Sequence, residues 1–125
     1  MDRSILLVGI GGFVGSIARY LVSILLAGYA STVFPFATLI VNLAGCFLIG
    51  LLFALSERGN ILSPEWRILL TTGFCGGFTT FSTFSYESLR LMNDGEYLYM
   101  ALYVLISVII GLAATYIGIL IVRSI

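Results

Sequence analysis

The sequence predicts an all-α membrane protein: a single domain of four transmembrane helices, the third of them broken in the middle of the membrane. Hydrophobic residues make up 60% of the 125 residues and charged residues only 10%, a balance far from that of soluble domains. Four apolar segments follow one another, each long enough for the roughly 20 residues that cross a bilayer. They cover residues 5–27, 36–55, 66–91 and 97–122.

The third segment contains the stretch GFCGGFTTFSTFSYE at residues 73–87. Its glycines and paired threonines are poor helix formers, so we expect the helix to break near residues 73–80. Such a break persists in a membrane only where protein, water or an ion satisfies the freed backbone groups. Freed carbonyls attract cations and freed amides attract anions, which makes the break a candidate ion site. The alternative is a glycine-rich packing notch.

Two rows of side chains continue from the predicted break at three-residue spacing, which places each row on one helix face. The hydroxyl row is Thr79, Ser82 and Ser85, and the phenyl row is Phe78, Phe81 and Phe84. The edge of a phenyl ring carries partial positive charge and can hold an anion, although an aromatic row is more often part of a hydrophobic core.

The second and fourth segments supply polar residues to match. Thr38 and Asn42 lie four residues apart and share a face. A carboxamide in an apolar span is costly unless it is hydrogen-bonded, so Asn42 either donates to an anion or bonds one helix to another. A further row in the fourth segment consists of Tyr103, Ser107 and Thr115, with Gly111 between the last two.

Two charged side chains lie within or near the predicted spans. Arg19 either extends to the membrane interface or holds anions in a vestibule. Glu87 either pairs with Arg90 one turn on or faces the interior near the pathway. The arginines divide four against two between the sides of the membrane, a weak bias that permits insertion in both orientations and an antiparallel dimer of identical subunits.

Composition excludes several classes of function. The chain has no histidine and only two cysteines, both inside apolar segments, so the usual ligands of a metal site are missing. The sequence also shows no cluster of basic and nucleophilic side chains of the kind that indicates an enzyme. Zero net charge without a basic run indicates no nucleic-acid partner. In the first segment, Gly11 and Gly15 form a pair of small residues that allows close helix contact and favours assembly.

Taken together, the quoted stretch, TLIVNLAGCF before it and GGFVGSIARY in the first segment resemble the Fluc (CrcB) fluoride channels over essentially the whole chain. The resemblance implies an antiparallel, dual-topology homodimer embedded in the lipid bilayer. It implies a multi-pass protein of the bacterial plasma (inner) membrane that exports fluoride passively to relieve its toxicity.

The resemblance also implies roles for individual residues. The backbone carbonyls of Gly76 and Thr79 from both subunits would hold a structural Na⁺ ion at the dimer interface. The fluoride pathway would be formed by Asn42, Phe81, Phe84, Thr38, Ser82, Thr83, Tyr103 and Ser107. Gly111 replaces a serine sometimes found in the family, so the end of this polar row departs from the pattern.

Two other kinds of protein fit parts of the sequence. A small four-span drug or cation transporter of dual topology would have the same size, but it resembles a family that needs a glutamate in the first span, where Arg19 is the charged residue. A non-transporting membrane assembly subunit would explain the small residues near Gly11 but would leave Asn42 and the hydroxyl rows without a purpose.

Overall fold

Every regular element in the described part of the chain is a helix. The computed structural model describes residues 3–27, 33–59 and 61–125. The helices are α1 (Arg3–Ala27), α2 (Phe36–Ser56), α3 (Pro64–Ile68), α4 (Gly76–Phe78), α5 (Phe81–Asn93) and α6 (Tyr97–Arg123), and a π-helical segment, Leu69–Cys75, joins α3 to α4. Within these ranges, α1, α2 and α6 are long and apolar enough to cross a membrane. The all-α class is therefore confirmed.

The region of the third predicted span consists of several helical pieces. It begins at Ser63, whose side chain accepts a hydrogen bond from the Trp66 N–H at 3.3 Å, and Pro64 occupies the first helical position, where its missing N–H costs nothing. It ends at Asn93. Gly95 then takes a φ of 78°, the left-handed conformation with which glycine commonly ends a helix.

The π-helical segment lies directly before the glycine pair of the quoted stretch. π-Helices are rare, occur mostly as single wide turns within α-helices, and are frequent at functional sites. This one runs from Leu69 to Cys75, and near its start the Thr71 hydroxyl donates to the Arg67 carbonyl oxygen at 2.7 Å. The departure from α-helical geometry thus starts at Leu69, earlier than the region 73–80 in which the sequence predicts the break.

The glycine row of α1 packs on the backbone of the third segment. A methyl group on Gly11 would collide with the carbonyl oxygen of Leu69, and one on Gly15 would collide with that of Phe74. The close approach predicted for this row is therefore confirmed, because glycine on α1 leaves room for the neighbouring main chain. The contact lies within one chain, however, so these glycines are not available as a surface for assembly.

Helices α2 and α6 also meet through small residues. A methyl group on Gly50 would collide with the Thr115 carbonyl oxygen, and one on Gly118 would collide with the carbonyl oxygen of Phe47. The Thr115 hydroxyl donates to the Cys46 carbonyl oxygen at 3.0 Å. Thr115 therefore joins the two helices, which is the helix-bonding use of a hydroxyl in a membrane protein.

A small hydrophobic cluster holds α5 against α2 and α6. Its buried members are Phe34, Leu39, Leu91 and Tyr103. Each of the three helices contributes one of these side chains, and Leu91 lies near the end of α5. Phe84, near the start of α5, packs against the same cluster, so both parts of this helix are held against α2 and α6.

The outer faces of the long helices expose large apolar side chains, as a lipid environment requires. Phe13 on α1 is 68% exposed and Leu112 on α6 is 71% exposed. These faces bury little within the subunit, so their apolar character fits contact with lipid or with another protein in the membrane.

Candidate functional site

Two extended residues separate α4 from α5. Thr79 has φ −89° and ψ 158°, and Thr80 has φ −151° and ψ 123°, so the helix stops after Phe78. The Thr80 hydroxyl accepts a hydrogen bond from the Thr83 N–H at 3.1 Å and thereby caps the start of α5. The sequence analysis does not predict a functional role for Thr80, although a threonine before a helical stretch is the usual sign of a cap.

Asn42 of α2 binds the main chain of this interruption with both ends of its amide. Its Nδ2 donates to the Thr80 carbonyl oxygen at 3.1 Å, and its Oδ1 accepts from the Thr80 N–H at 2.9 Å. One side chain thus satisfies two backbone groups that no helix ladder pairs here. Helix-to-helix bonding by Asn42 is observed directly. Its second Nδ2 hydrogen is still available as a donor.

The carbonyl end of α4 is paired by two other side chains. The Cys75 carbonyl oxygen accepts both the Thr79 N–H at 3.0 Å and the Thr79 hydroxyl at 2.8 Å. Arg19 reaches from α1 and donates through Nε to the Gly77 carbonyl oxygen at 3.1 Å. Arg19 is therefore engaged at the interruption through its Nε, and its placement at the interface or in an anion vestibule stays a prediction.

The carbonyls of Gly76 and Thr79 are left without their usual helical donors. A helical carbonyl pairs with the N–H three to five residues along the chain. For Gly76 the two nearest such groups belong to Thr79 and Thr80, whose N–H groups donate to Cys75 and Asn42 instead. For Thr79 the group one α-turn on is the Thr83 N–H, which donates to the Thr80 hydroxyl.

A cavity of about 420 Å³ opens beside the interruption. Six of the residues predicted for the site line it: Asn42, Gly76, Thr79, Phe81, Phe84 and Ser107. The remaining lining residues are Gly45, Cys46, Ile49, Thr71, Cys75, Thr80 and Val108. The structure therefore brings the predicted residues of four elements, and of the link between α4 and α5, to one cavity.

Ser107 contributes a hydroxyl that no other described residue pairs. Its Oγ is buried, and it has no hydrogen-bond partner in the described part of the structure. Leaving a buried hydroxyl unsatisfied costs on the order of 1–3 kcal/mol, and most buried polar atoms in proteins have a partner. A ligand or a water molecule in the cavity would remove this cost.

The phenyl rings at this cavity lie on α5. Phe81 is 79% exposed, and its ring centre lies 5.6 Å from that of Phe84. Phe78, by contrast, is buried and stacks on Phe74. The continuous phenyl row predicted across the break is therefore wrong, because the extended residues Thr79 and Thr80 rotate α5 relative to α4.

Four predicted pathway residues do not line the cavity. The Ser82 hydroxyl lies 3.2 Å from that of Thr80, and the Thr83 hydroxyl accepts from it at 3.3 Å. Tyr103 is 0% exposed and has Thr38 as a polar neighbour. Ser82 and Thr83 belong to the first turn of α5, and Tyr103 lies beside Phe84 and Glu87 of the same helix.

Glu87 is held by Tyr103. The tyrosine hydroxyl donates to Glu87 Oε1 at 3.0 Å, and its ring lies 5.1 Å from that of Phe84. Glu87 itself does not line the cavity. It is connected to the cavity wall through Tyr103, which contacts the lining residue Phe84.

Among the described residues, the groups at the interruption that suit a hard cation are main-chain carbonyl oxygens. No group of three or more His, Cys, Asp or Glu side chains is placed to hold a metal ion in residues 3–27, 33–59 and 61–125. The main-chain oxygens of Gly76 and Thr79, which have lost their usual helical donors, are the alternative, because carbonyl oxygen is a ligand that hard cations accept.

Comparison with known proteins assigns the family. The family model described as CrcB-like protein, Camphor Resistance (CrcB), matches residues 6–119. The chain belongs to the CrcB family. A CrcB-family relative from Chlorobaculum tepidum, named fluoride-specific ion channel FluC, is 56% identical over 97% of this chain and 95% of its own length. The relative of the same name from Flavobacterium psychrophilum is 43% identical over 98% of both chains.

Membership of the CrcB family has two direct consequences. Together with three helices that can cross a membrane, it identifies the chain as a multi-pass membrane protein. The name that its relatives share describes an ion channel, which is not a class of enzyme. The family also separates the chain from the small drug transporters that its size and four apolar segments resemble.

Proposed function

We propose that this chain forms a fluoride-specific ion channel of the bacterial plasma (inner) membrane, which exports fluoride passively and so relieves its toxicity. The observation that carries the proposal is the cavity at the helix interruption. There the amide of Asn42 and the unpaired hydroxyl of Ser107 lie with the phenyl rings of Phe81 and Phe84. Relatives named as fluoride-specific channels, matching 97% of the chain in one case, support the choice of ion.

The chemistry of this lining fits a small, strongly hydrated anion. Fluoride enters a protein only if donors replace its water, and hydroxyl groups, one amide hydrogen and the edges of phenyl rings are such donors. None of the residues that line the cavity is charged. An anion held by neutral donors is released more readily than one held by a fixed arginine or lysine, as conduction requires.

We place the interruption near the middle of the membrane. Helical segments of similar length lie on its two sides, Pro64–Phe78 and Phe81–Asn93. Trp66, which is 58% exposed, marks one end at the depth where tryptophan is enriched. Irregular backbone at that depth needs protein or water around it, and Asn42 and Arg19 supply part of that protection.

A second, antiparallel copy of the chain would supply the rest. The cavity opens outward, and Phe81 beside it is 79% exposed. A methyl group on Gly76 would have nothing within 4 Å in this chain, although its carbonyl needs cover from lipid. The weak arginine bias permits both orientations, and a two-fold axis would bring identical faces together.

Within that dimer we propose a structural Na⁺ ion at the interruption. Gly76 and Thr79 would hold it through their backbone carbonyls, which have lost their usual helical donors. Two carbonyls from each subunit give four oxygens around the axis, a set that fits a hard cation. When bound, the ion would balance the partial negative charge of the two carbonyl ends and join the subunits.

Flux from liposomes that contain only this protein tests the function. With a counter-ion path supplied, we expect fluoride to leave down its gradient while chloride stays behind, and ion-selective electrodes measure both. Protein-free liposomes are the control. Equal release of chloride, or fluoride movement against its gradient driven by protons, would contradict a selective passive channel.

A further inference from the structure

Arg19 is the only charged residue of α1 beyond its first turn. It is half-buried, and its Nε donates to the Gly77 carbonyl oxygen at 3.1 Å across the boundary between α1 and α4. Arginine keeps its charge in any protein environment. A charged side chain within a membrane helix is costly and usually pairs with a specific partner. Here the partner is a main-chain carbonyl rather than a carboxylate.

The bond to Gly77 has two electrostatic effects at the interruption. It occupies one lone pair of a carbonyl oxygen at the end of α4, where partial negative charge accumulates, so that this oxygen attracts a cation less strongly. It also places a full positive charge one residue from Gly76, whose carbonyl is left without its helical donors. Both effects oppose the binding of a cation by the carbonyls that remain.

We infer that Arg19 is a positioning residue that sets the affinity of the interruption for Na⁺, keeping it weaker than the carbonyl oxygens alone would make it. The inference rests on the proposed cation and dimer. In an antiparallel pair, two guanidinium groups would flank the axis, so their repulsion of the ion would add. The same positive charges would favour the entry of an anion into the neighbouring cavity.

Sodium-dependent thermal stability of the purified dimer tests this without measuring flux. The melting temperature is measured while NaCl replaces choline chloride at constant ionic strength. The Na⁺ concentration that gives half of the total stabilisation is the half-saturating concentration. Arg19→Gln keeps a donor and removes the charge, so we expect this concentration to fall roughly tenfold or more. Arg19→Lys keeps the charge and should stay within about threefold of the wild type. Arg123→Gln, an exposed charge at the end of α6, is the matched control and should leave it unchanged.

A second variant covers the case in which Arg19→Gln does not fold. Ser23 lies one turn beyond Arg19, and its hydroxyl donates to the Arg19 carbonyl oxygen at 3.2 Å. Ser23→Asp places a carboxylate within reach of the guanidinium and should also lower the half-saturating Na⁺ concentration, whereas Ser23→Asn should not.

The outcomes separate this inference from the function on which it rests. If the half-saturating Na⁺ concentration is the same in the wild type, Arg19→Gln and Ser23→Asp, the role of Arg19 is overturned. The proposed cation site is not affected by that result. A wild-type melting temperature that does not respond to Na⁺ at all would overturn the cation, and this inference with it. A lower melting temperature without Na⁺ but an unchanged half-saturating concentration would assign Arg19 a purely structural role, which also contradicts the inference.

Discussion

At the scale of single residues, Asn42 joins α2 to the extended link through both ends of its amide. Its two bonds to Thr80 hold the extended link at a fixed distance from α2, and its remaining hydrogen is a donor beside the cavity. In the proposed channel, structure and transport would depend on the same amide, so a substitution should affect both.

Replacing Asn42 with Asp keeps the oxygen that accepts from the Thr80 N–H but removes the NH₂ group that donates to the Thr80 carbonyl oxygen. The carboxylate can still accept from the Thr80 N–H, but its other oxygen would face the Thr80 carbonyl oxygen, now without a donor. We expect a loss of stability on the order of 1–3 kcal/mol and a strong fall in fluoride flux, because an anionic side chain would repel a passing anion. Thermal unfolding and liposome flux measure the two effects.

Asn93→Asp at the exposed end of α5 makes the same chemical change far from the cavity. It should leave flux unchanged and lower the stability by less than about 1 kcal/mol, the cost of a carboxylate at the negative end of a helix. Full flux and full stability in the Asn42 variant would show that the bonds to Thr80 are dispensable and that the pathway lies elsewhere.

The importance of Asn42 could be predicted from the sequence because a lone carboxamide in an apolar span must find a partner. Its partner, the main chain of Thr80, could not be predicted. The main chain at Thr80 becomes available only because two residues leave the helix, and no side-chain pattern records a backbone acceptor. The bond from Arg19 to Gly77 was missed for the same reason.

At the scale of secondary-structure elements, the contact between α1 and the third segment depends on the absence of side chains on one helix face. Gly15 faces the main chain of Phe74 and Phe78, whereas Gly9, on the same helix, has open space around it. This difference allows one substitution to be compared at two positions of one element.

Gly15→Ala should destabilise the subunit by about 1–3 kcal/mol, as overpacking does elsewhere, because backbone atoms cannot move aside as a flexible side chain would. Gly9→Ala should be neutral or slightly stabilising, since alanine is the better helix former. Thermal or chemical unfolding in detergent measures both. Equal stability of the two variants would show that α1 does not pack as closely as described.

The three long helices could be predicted from hydrophobicity, since apolar length is a strong signal. The third segment could not be predicted in the same detail. Residue spacing predicts rows only while one helix continues, and the extended Thr79 and Thr80 end the row that began with Phe78. The π-helical turn at Leu69 left no recognisable mark in the sequence.

At the scale of the whole molecule, the proposed dimer makes a prediction at Gly76. Its backbone has φ −62° and ψ −38°, ordinary helical values that valine also adopts, and a methyl group there would meet nothing within 4 Å. Gly76→Val should therefore leave the subunit folded. It should prevent close contact between two copies, because the added side chain would stand in the proposed interface.

Subunit counting in liposomes and helix content by circular dichroism measure the two properties. Gly9→Val, the same change at another glycine with open space, should preserve the dimer. A Gly76→Val protein that remains dimeric and active would place the interface on another face, and one with reduced helix content would contradict the open space seen here.

The contact of α1 with the third segment also has a mechanical consequence. An interface of side chains can yield under load, since each rotamer change absorbs a small displacement. Main chain resting on main chain at Gly11 and Gly15 has no such torsions, so α1 and the stretch Pro64–Phe78 must translate as one stiff body. Lateral tension in the membrane that acts on α1 would therefore reach the carbonyl end of α4 and pass to the extended pair Thr79 and Thr80, where the two bonds from Asn42 would bear it.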